Sequence, residues 1–97
     1  MQLTFHPGVA KDIIRIIAHY EQLGGSNLAM EFHAEARATF LKALKAPRSY
    51  RSQGRSLRRV NLPRFPYHFL FRIVGDDVRV LVVRHHSRSP SLGTSRR

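Results

Sequence analysis

Apolar residues between positions 67 and 74 recur at every second place, which is the spacing of a β-strand. Tyr67, Phe69 and Phe71 fall on one face of this stretch, while the residues between them include charged and polar side chains. A strand with one apolar face packs that face against a second layer of the protein. The pattern therefore predicts a strand over residues 67–74 whose aromatic face is buried.

Further stretches on either side of this strand complete a predicted sheet. Residues 75–77 are Gly-Asp-Asp, a short and turn-prone hairpin connection. Residues 78–84 are almost all β-branched or leucine, as is typical of a central strand covered on both faces. Residues 58–62 form another strand, which must end there because Pro63 and Pro66 cannot donate ladder hydrogen bonds.

The first half of the chain shows helical spacing instead. A short apolar strand is predicted at residues 2–5. After it, residues 9–23 place apolar side chains three and four positions apart, which indicates an amphipathic helix. Residues 28–44 carry a second stripe of the same kind, and Pro47 stops it. Two amphipathic helices are therefore predicted before the main part of the sheet.

A turn between the two helices is predicted from their boundary residues. Gly24 and Gly25 end the first helix, and Ser26 or Asn27 can cap the second by accepting hydrogen bonds from its free N–H groups. A loop of about four residues makes the two helices an antiparallel hairpin.

The element order is therefore β-α-α-β-β-β, and it predicts an α+β fold with a helix hairpin on one face of a mainly antiparallel sheet. Residues 1–97 suffice for a single domain. Its basic, serine-rich tail, from about residue 86 to residue 97, is expected to be partly mobile. The expected core includes Ile13, Ile17, Phe32, Phe40, Phe69, Phe71, Val80 and Val82.

Charge is distributed unevenly along the chain. Lysine and arginine number 17 against six acidic residues, and the formal net charge is +11. Residues 46–97 contain twelve of the arginines and no lysine, and only Asp76 and Asp77 offset them. A one-signed set of guanidinium groups attracts phosphates or carboxylate-rich partners, because both bind guanidinium bidentately. The composition thus predicts a polyanionic or acidic partner.

Composition also bears on the compartment. The chain has no cysteine, which fits a reducing cytoplasm. No apolar run approaches the roughly 20 residues of a membrane span, and the N-terminus lacks the basic and then apolar segments of an export signal. A cytoplasmic protein without membrane contact is predicted.

Arginines of the predicted sheet are the candidate binding residues. On neighbouring strands and turns they can gather at one sheet surface, where they would hold a phosphate backbone or an acidic peptide. The candidates for binding a target or an antagonist are Arg58, Arg59, Arg64, Arg72, Arg84, Arg88 and Arg96.

Histidines supply the candidates for acid–base chemistry. His85 and His86 are neighbours that a strand would point to opposite faces. Either could transfer a proton beside Arg88 in a metal-free phosphodiester cleavage, and a hydrogen-bonded histidine that closes the last strand is the structural alternative. The other histidines are scattered and cysteine is missing, so no metal ion and no cofactor are predicted.

The chain resembles the RelE/ParE superfamily of type II toxin–antitoxin toxins in its element order and in three runs, LTFHPGVAKDI, RRVNLPRFPYHFLFRI and VLVVRHHSRSP. The resemblance spans essentially the whole chain. It implies a small, growth-inhibiting cytoplasmic toxin that a cognate antitoxin neutralises by wrapping a segment around it. It also implies one of two targets: DNA gyrase, which ParE-like members poison, or ribosome-bound mRNA, which RelE-like members cut.

The same resemblance bears on the choice of target. RelE-like nucleases use a basic cluster together with an acid or base near the C-terminus. Here the cluster would consist of Arg59, Arg64, Arg84 and Arg88. Leu92 occupies the place where such nucleases often have an aromatic residue, and no lysine of this half can serve as a tunable base. We therefore predict a ParE-like, non-enzymatic toxin, with a RelE-like ribosome-dependent mRNA endoribonuclease acting through His85 or His86 as the alternative.

Overall fold

Secondary structure in the computed structural model, which describes residues 1–97, follows the predicted order of strands and helices. The elements are β1 (Leu3–Phe5), the helical segment α1 (Pro7–Lys45), a 3-10 turn (Pro47–Ser49), β2 (Arg58–Asn61), β3 (Tyr67–Val74) and β4 (Asp77–His85). None of the helical stretches combines the length and the hydrophobicity that crossing a membrane requires.

The helical segment α1 folds back on itself at Gly25. Its 39 residues would measure about 58 Å as a straight helix, yet the longest dimension of the molecule is 39 Å. Gly25 has a φ of 76° and a ψ of −170°, a conformation that glycine adopts readily because it has no Cβ. The rings of Tyr20 and Phe32 consequently lie 5.6 Å apart, whereas a straight helix would separate the two residues by about 18 Å. The first arm (residues 7–24) and the second arm (residues 26–45) thus form the predicted hairpin.

The ends of the arms differ in detail from the prediction. Only Gly25 departs from helical geometry, so Ser26 and Asn27 lie within the second arm instead of forming a loop with the two glycines. The first arm begins at Pro7, two residues earlier than predicted. His6 is its N-cap, because its Nδ1 accepts the Gly8 N–H at 2.9 Å and so satisfies one of the free donors of the helix start.

The four strands form a mixed, mainly antiparallel sheet with the order β1-β4-β3-β2. The strand β1 is parallel to β4, and the other two neighbouring pairs are antiparallel. Because β1 has only three residues, it covers β4 at residues 78–80 and leaves the rest of that edge without a strand partner. The part of the β4 edge beyond β1 is therefore open to contacts from the tail and the first arm.

One face of the sheet packs against the two arms, and we call the opposite side the outer face. Phe69 and Phe71 are fully buried on the helix-facing side, as predicted, and Phe40 of the second arm contacts Phe69 with ring centroids 4.7 Å apart. A smaller cluster lies apart from this main core. It consists of Leu57, Leu70, Leu81 and Val82.

A β-bulge explains why the core differs from the prediction at Val82. The register pairs Leu70 with Val82 but Phe71 with Val80, so Leu81 is an extra residue on β4. The extra residue shifts the alternation of side chains by one position. Val80 and Val83 therefore join the main core, whereas Val82 joins the smaller cluster.

The rotation of the first arm also differs from the prediction. Ile13 and Ile17 were expected in the core but are only partly buried against it. Ile16 and Tyr20 are buried in their place. The helical period was read correctly, but the apolar stripe is wide enough that periodicity alone does not determine its centre.

Candidate functional site

The candidate arginines do not gather on one surface. Arg58 pairs in register with Phe71, on the helix-facing side, and its guanidinium donates to the Tyr50 carbonyl. Arg64 lies in the loop before β3 and forms an ion pair with Glu35 of the second arm at 2.8 Å. The predicted single basic surface is therefore wrong for these two residues, whereas Arg59, Arg72 and Arg84 do lie on the outer face.

Two arginines and two histidines form a compact group on the outer face, which we call the outer-face cluster: Arg59 of β2, His68 of β3, Arg84 of β4 and His86 of the tail. The Nε of Arg84 donates to Nε2 of His68 at 2.9 Å. The Nδ1 atoms of His68 and His86 are 2.9 Å apart, and the planes of the two rings are nearly parallel, with an interplanar angle of 12°. An Nη2 atom of Arg59 lies 3.3 Å from Nδ1 of His86.

This network of hydrogen bonds assigns the tautomers of both histidines. Arginine has no acceptor and stays protonated, so Nε2 of His68 must accept from Arg84, and the proton of neutral His68 is on Nδ1. That proton points to Nδ1 of His86, which must therefore accept. The proton of His86 is then on its Nε2, the nitrogen that remains outside the network.

Burial and the neighbouring positive charges keep both histidines neutral. His68 is 1% exposed, and its pKa falls to about 3 because of burial first and then the charges of Arg59 and Arg84. The pKa of His86 is also lowered, by burial and then by Arg59 and His85. Burial, followed by the charge of Arg59, lowers the pKa of Arg84. The cluster contains no carboxylate that would reverse these shifts.

The outer-face cluster can act as a hydrogen-bond donor. Both acceptor nitrogens of the histidine pair are occupied, so His86 offers an Nε2–H but no free lone pair that could remove a proton. Asn61 further holds Arg59 in place, with its Oδ1 accepting from Nε of Arg59 at 2.8 Å. The arrangement suits contact with an anion and does not supply a general base.

His85 lies on the other side of the sheet from His86, as the alternation of a strand predicts. Its ring packs edge-on against Tyr67 at 5.1 Å, and its Nδ1 accepts the Ser87 N–H at 3.0 Å. Together with Arg88 it lines an open cleft of about 510 Å³ between the first arm and the free edge of β4. The candidates for cleavage chemistry, His85, His86 and Arg88, are therefore divided, because Arg88 shares this cleft with His85 and not with His86.

Arg84 and the tail are joined by main-chain hydrogen bonds. An Nη1 atom of Arg84 donates to the carbonyl oxygens of Pro90 and Leu92, both at 2.8 Å, and more weakly to that of Ser89 at 3.3 Å. Arg84 itself is 7% exposed. Its predicted role in binding a partner is thus limited by its contacts within the chain, while the partial mobility of the tail stays a prediction.

A partly buried ion pair ties the end of the tail to the first arm. The guanidinium of Arg96 donates to the Asp12 carboxylate at 2.7 and 3.3 Å, and to the Leu81 carbonyl at 3.0 Å. Asp12, 4% exposed, also accepts the Val83 N–H at 3.1 Å. These bonds pair the Val83 N–H and the Leu81 carbonyl on the edge of β4 that β1 leaves open. The guanidinium of Arg96 is thus engaged within the chain, and its role in binding a partner stays a prediction.

An apolar groove remains uncovered where β1 meets the two arms. It has a volume of about 250 Å³. Its apolar lining is Leu3, Phe5, Ile13, Ala36, Phe40 and Leu41. Phe5 is 42% exposed and Leu41 is 43% exposed, although both are large and apolar.

His68 and Asp12 are the residues that sequence reasoning missed. His68 was dismissed as one of the scattered histidines. Its alternation with the aromatic residues of β3 was the available signal, because it placed a polar ring on the outer face, opposite Arg84 in the neighbouring strand. For Asp12, 84 positions from Arg96, no local pattern gave a signal.

Comparison with known proteins agrees with this architecture. The family model described as the ParE toxin of the type II toxin-antitoxin system parDE matches residues 3–90. Among solved structures, a chromosomal ParDE TA system from P. aeruginosa superimposes with a TM-score of 0.76 at 24% identity, covering 88% of this chain and 95% of that chain. That likeness establishes a shared fold, while a search of curated proteins found no significant match. Because the family model extends from β1 through the outer-face cluster into the tail, the chain belongs to the ParE toxin family of type II toxin–antitoxin systems.

Proposed function

We propose that this chain poisons DNA gyrase in the cytoplasm as the toxin of a type II toxin–antitoxin module, and that it does so by binding, without cutting nucleic acid. The observation that carries the proposal is the ParE family match over residues 3–90. The outer-face cluster supports it, because the histidine pair is neutral and both of its acceptor nitrogens are occupied. A site without a free base favours binding over phosphodiester cleavage.

One observation favours a second candidate, a RelE-like ribosome-dependent endoribonuclease. His85 and Arg88 line the same open cleft, which could admit a phosphodiester. In such a mechanism His85 would transfer the proton and Arg88 would stabilise the developing charge. The Nδ1 of His85 already accepts from Ser87, so only its Nε2 could face a substrate.

We expect the purified protein to inhibit supercoiling by DNA gyrase and to leave mRNA intact in a translating extract. His85→Gln is expected to inhibit gyrase as the parent does, because a binding mechanism needs no proton transfer. If the protein is instead a nuclease, the same change should slow mRNA cleavage by about 10²- to 10⁴-fold. Supercoiling assays and primer extension on the translated message measure the two activities.

The two proposed functions predict opposite results in these two assays. Ribosome-dependent cleavage of mRNA with unaffected supercoiling would overturn the gyrase proposal in favour of the nuclease. Thermal melting of His85→Gln provides the control for folding, since His85 packs against Tyr67.

We further propose that a cognate antitoxin neutralises the chain by covering the apolar groove beside β1. Exposed apolar surface that is concave and rimmed by polar residues is typical of a protein-binding site. His33 and Arg37 stand at the rim, and the net charge of +11 favours an acidic partner. The antitoxin would be the protein encoded by the neighbouring reading frame.

Leu41→Glu is expected to weaken binding of that antitoxin by at least about tenfold, because the substitution removes a leucine contact and places a charge in an apolar groove. Leu23→Glu is the matched control, since Leu23 is 66% exposed and lies outside the groove. Isothermal titration of each variant with the antitoxin measures the effect. Equal affinities for the two variants would contradict the proposed location of the interface.

A further inference from the structure

A second basic group lies on the outer face, at the end of the sheet formed by the β3–β4 hairpin. We call it the hairpin-end cluster, and it contains Arg55, Arg72, Arg79 and Arg97. Arg72 and Arg79 are direct cross-strand partners, so their side chains leave the sheet on the same face. Arg72 reaches the Arg55 carbonyl at 3.4 Å, and Arg79 reaches the main-chain oxygen of Arg97 at 3.2 Å.

Three arginines of this cluster, Arg55, Arg72 and Arg97, line an open cavity of about 470 Å³. Its lining consists of Arg55, Arg72, Thr94, Ser95, Arg96 and Arg97, and includes no acidic and no apolar side chain. The guanidinium of Arg96 is already bound to Asp12, and the Thr94 hydroxyl donates to the Ser91 carbonyl at 2.9 Å. Three arginines and the Ser95 hydroxyl therefore remain as donors that face one space.

The arrangement is unfavourable for folding. Like charges directly opposite on neighbouring strands destabilise a sheet, and neither Arg72 nor Arg79 belongs to one of the two ion pairs of the chain. Beside them, Arg55 and Ser56 have φ values of 52° and 60°, a left-handed conformation that costs energy for residues other than glycine. Two unfavourable features at one place are a reason to look for a ligand that relieves the charge.

We propose that the hairpin-end cavity binds the phosphate backbone of duplex DNA. Arginine forks and hydroxyl groups are the side chains that contact phosphate oxygens in protein–DNA complexes. A protein partner is a poorer fit, because the core of a protein interface is largely apolar and this cavity has no apolar lining.

The outer-face cluster supplies a second contact on the same surface. His68 lies four positions before Arg72 on β3, which corresponds to about 13 Å along the strand. Arg59 and the free Nε2–H of His86 lie at that position and can donate to a further phosphate. Two donor groups spaced along one face suit an extended, regularly charged backbone.

This inference goes beyond the proposed function, because it assigns a nucleic-acid contact to the toxin itself. If gyrase is the target, the toxin would touch the DNA that the enzyme holds as well as the enzyme. The DNA-binding proposal and the gyrase proposal can be tested separately, since DNA binding is measured without gyrase and gyrase binding is measured without DNA.

Fluorescence anisotropy with a short labelled duplex, followed between about 50 and 200 mM salt, tests the site. Each phosphate contact contributes about −0.9 to the slope of log K against log salt, so Arg55→Gln/Arg72→Gln should reduce the steepness of that slope by about two and weaken binding throughout. The control is Lys11→Gln/Lys42→Gln, which removes the same charge from exposed positions of the two arms and should keep the slope of the parent.

Two further variants separate the site from folding and from bulk charge. Arg72→Gln removes a like-charge pair, so its melting temperature should equal or exceed that of the parent while DNA binding falls. Arg97→Gln lies outside the sheet and should reduce the steepness by about one. Equal losses in the Arg55/Arg72 and Lys11/Lys42 variants, absence of DNA binding by the parent, or preference for single-stranded RNA of the same length would overturn the proposal.

Discussion

Replacing Phe71 by alanine is expected to lower the free energy of unfolding by about 3 to 5 kcal/mol. Phe71 has no exposed surface, and its ring lies between those of Tyr50 and Phe69, at centroid distances of 5.9 and 6.2 Å. The strand that carries it is paired on both sides, so the surrounding backbone cannot collapse into the space that the ring leaves. A loss of this size is a large fraction of the 5 to 15 kcal/mol that stabilise typical domains.

Urea denaturation of the parent and the variant measures the difference. Phe5→Ala is the matched control, because Phe5 is 42% exposed and contacts Phe40 from the edge of the sheet. The decrease in the free energy of unfolding should be clearly smaller for Phe5→Ala than for Phe71→Ala. A Phe71→Ala protein that unfolds at the same urea concentration as the parent would contradict the packing described for β3.

Lowering the pH from neutral to 5 is expected to cost the fold about 2 kcal/mol through His68 alone. The folded-state pKa of His68, about 3, lies below the unfolded value of about 6.5, so the unfolded chain binds the proton more readily. This contribution to stability is fully present above pH 6.5 and is lost as the pH falls toward 3. The groups that face His68 are Arg59 from β2, Arg84 from β4 and His86 from the tail, and the two guanidinium groups oppose a charge on its ring.

The comparison of the parent with His68→Gln isolates this effect, because the other histidines and the acidic residues titrate in both proteins. Glutamine keeps an acceptor for Arg84 but does not titrate. The difference in unfolding free energy between the two proteins should therefore shrink or reverse by about 2 kcal/mol between pH 7.5 and pH 5. Parallel pH profiles would show that His68 does not have the depressed pKa on which the assignment of its neutral form rests.

Local patterns in the sequence were sufficient for the secondary structure and for most of the fold. Period-two alternation identified β3, the Gly-Asp-Asp connection identified the hairpin, and the glycines at 24 and 25 marked the point where the helical segment turns back. Each of these features depends on residues close in sequence, since backbone conformation and side-chain direction repeat over a few positions. The uneven distribution of arginine was equally visible in the sequence.

The sequence by itself thus determined the element order, the aromatic face of β3, the hairpin of helices and the basic character of the second half. The tertiary structure alone decided the bulge at Leu81, the burial of Ile16 in place of Ile13, and the division of the arginines among separate surfaces. It also brought His68 to His86 and Asp12 to Arg96, across 18 and 84 positions of the chain. These contacts depend on how strands pair and how the helical layer rotates against the sheet, and no pattern among neighbouring residues specifies either.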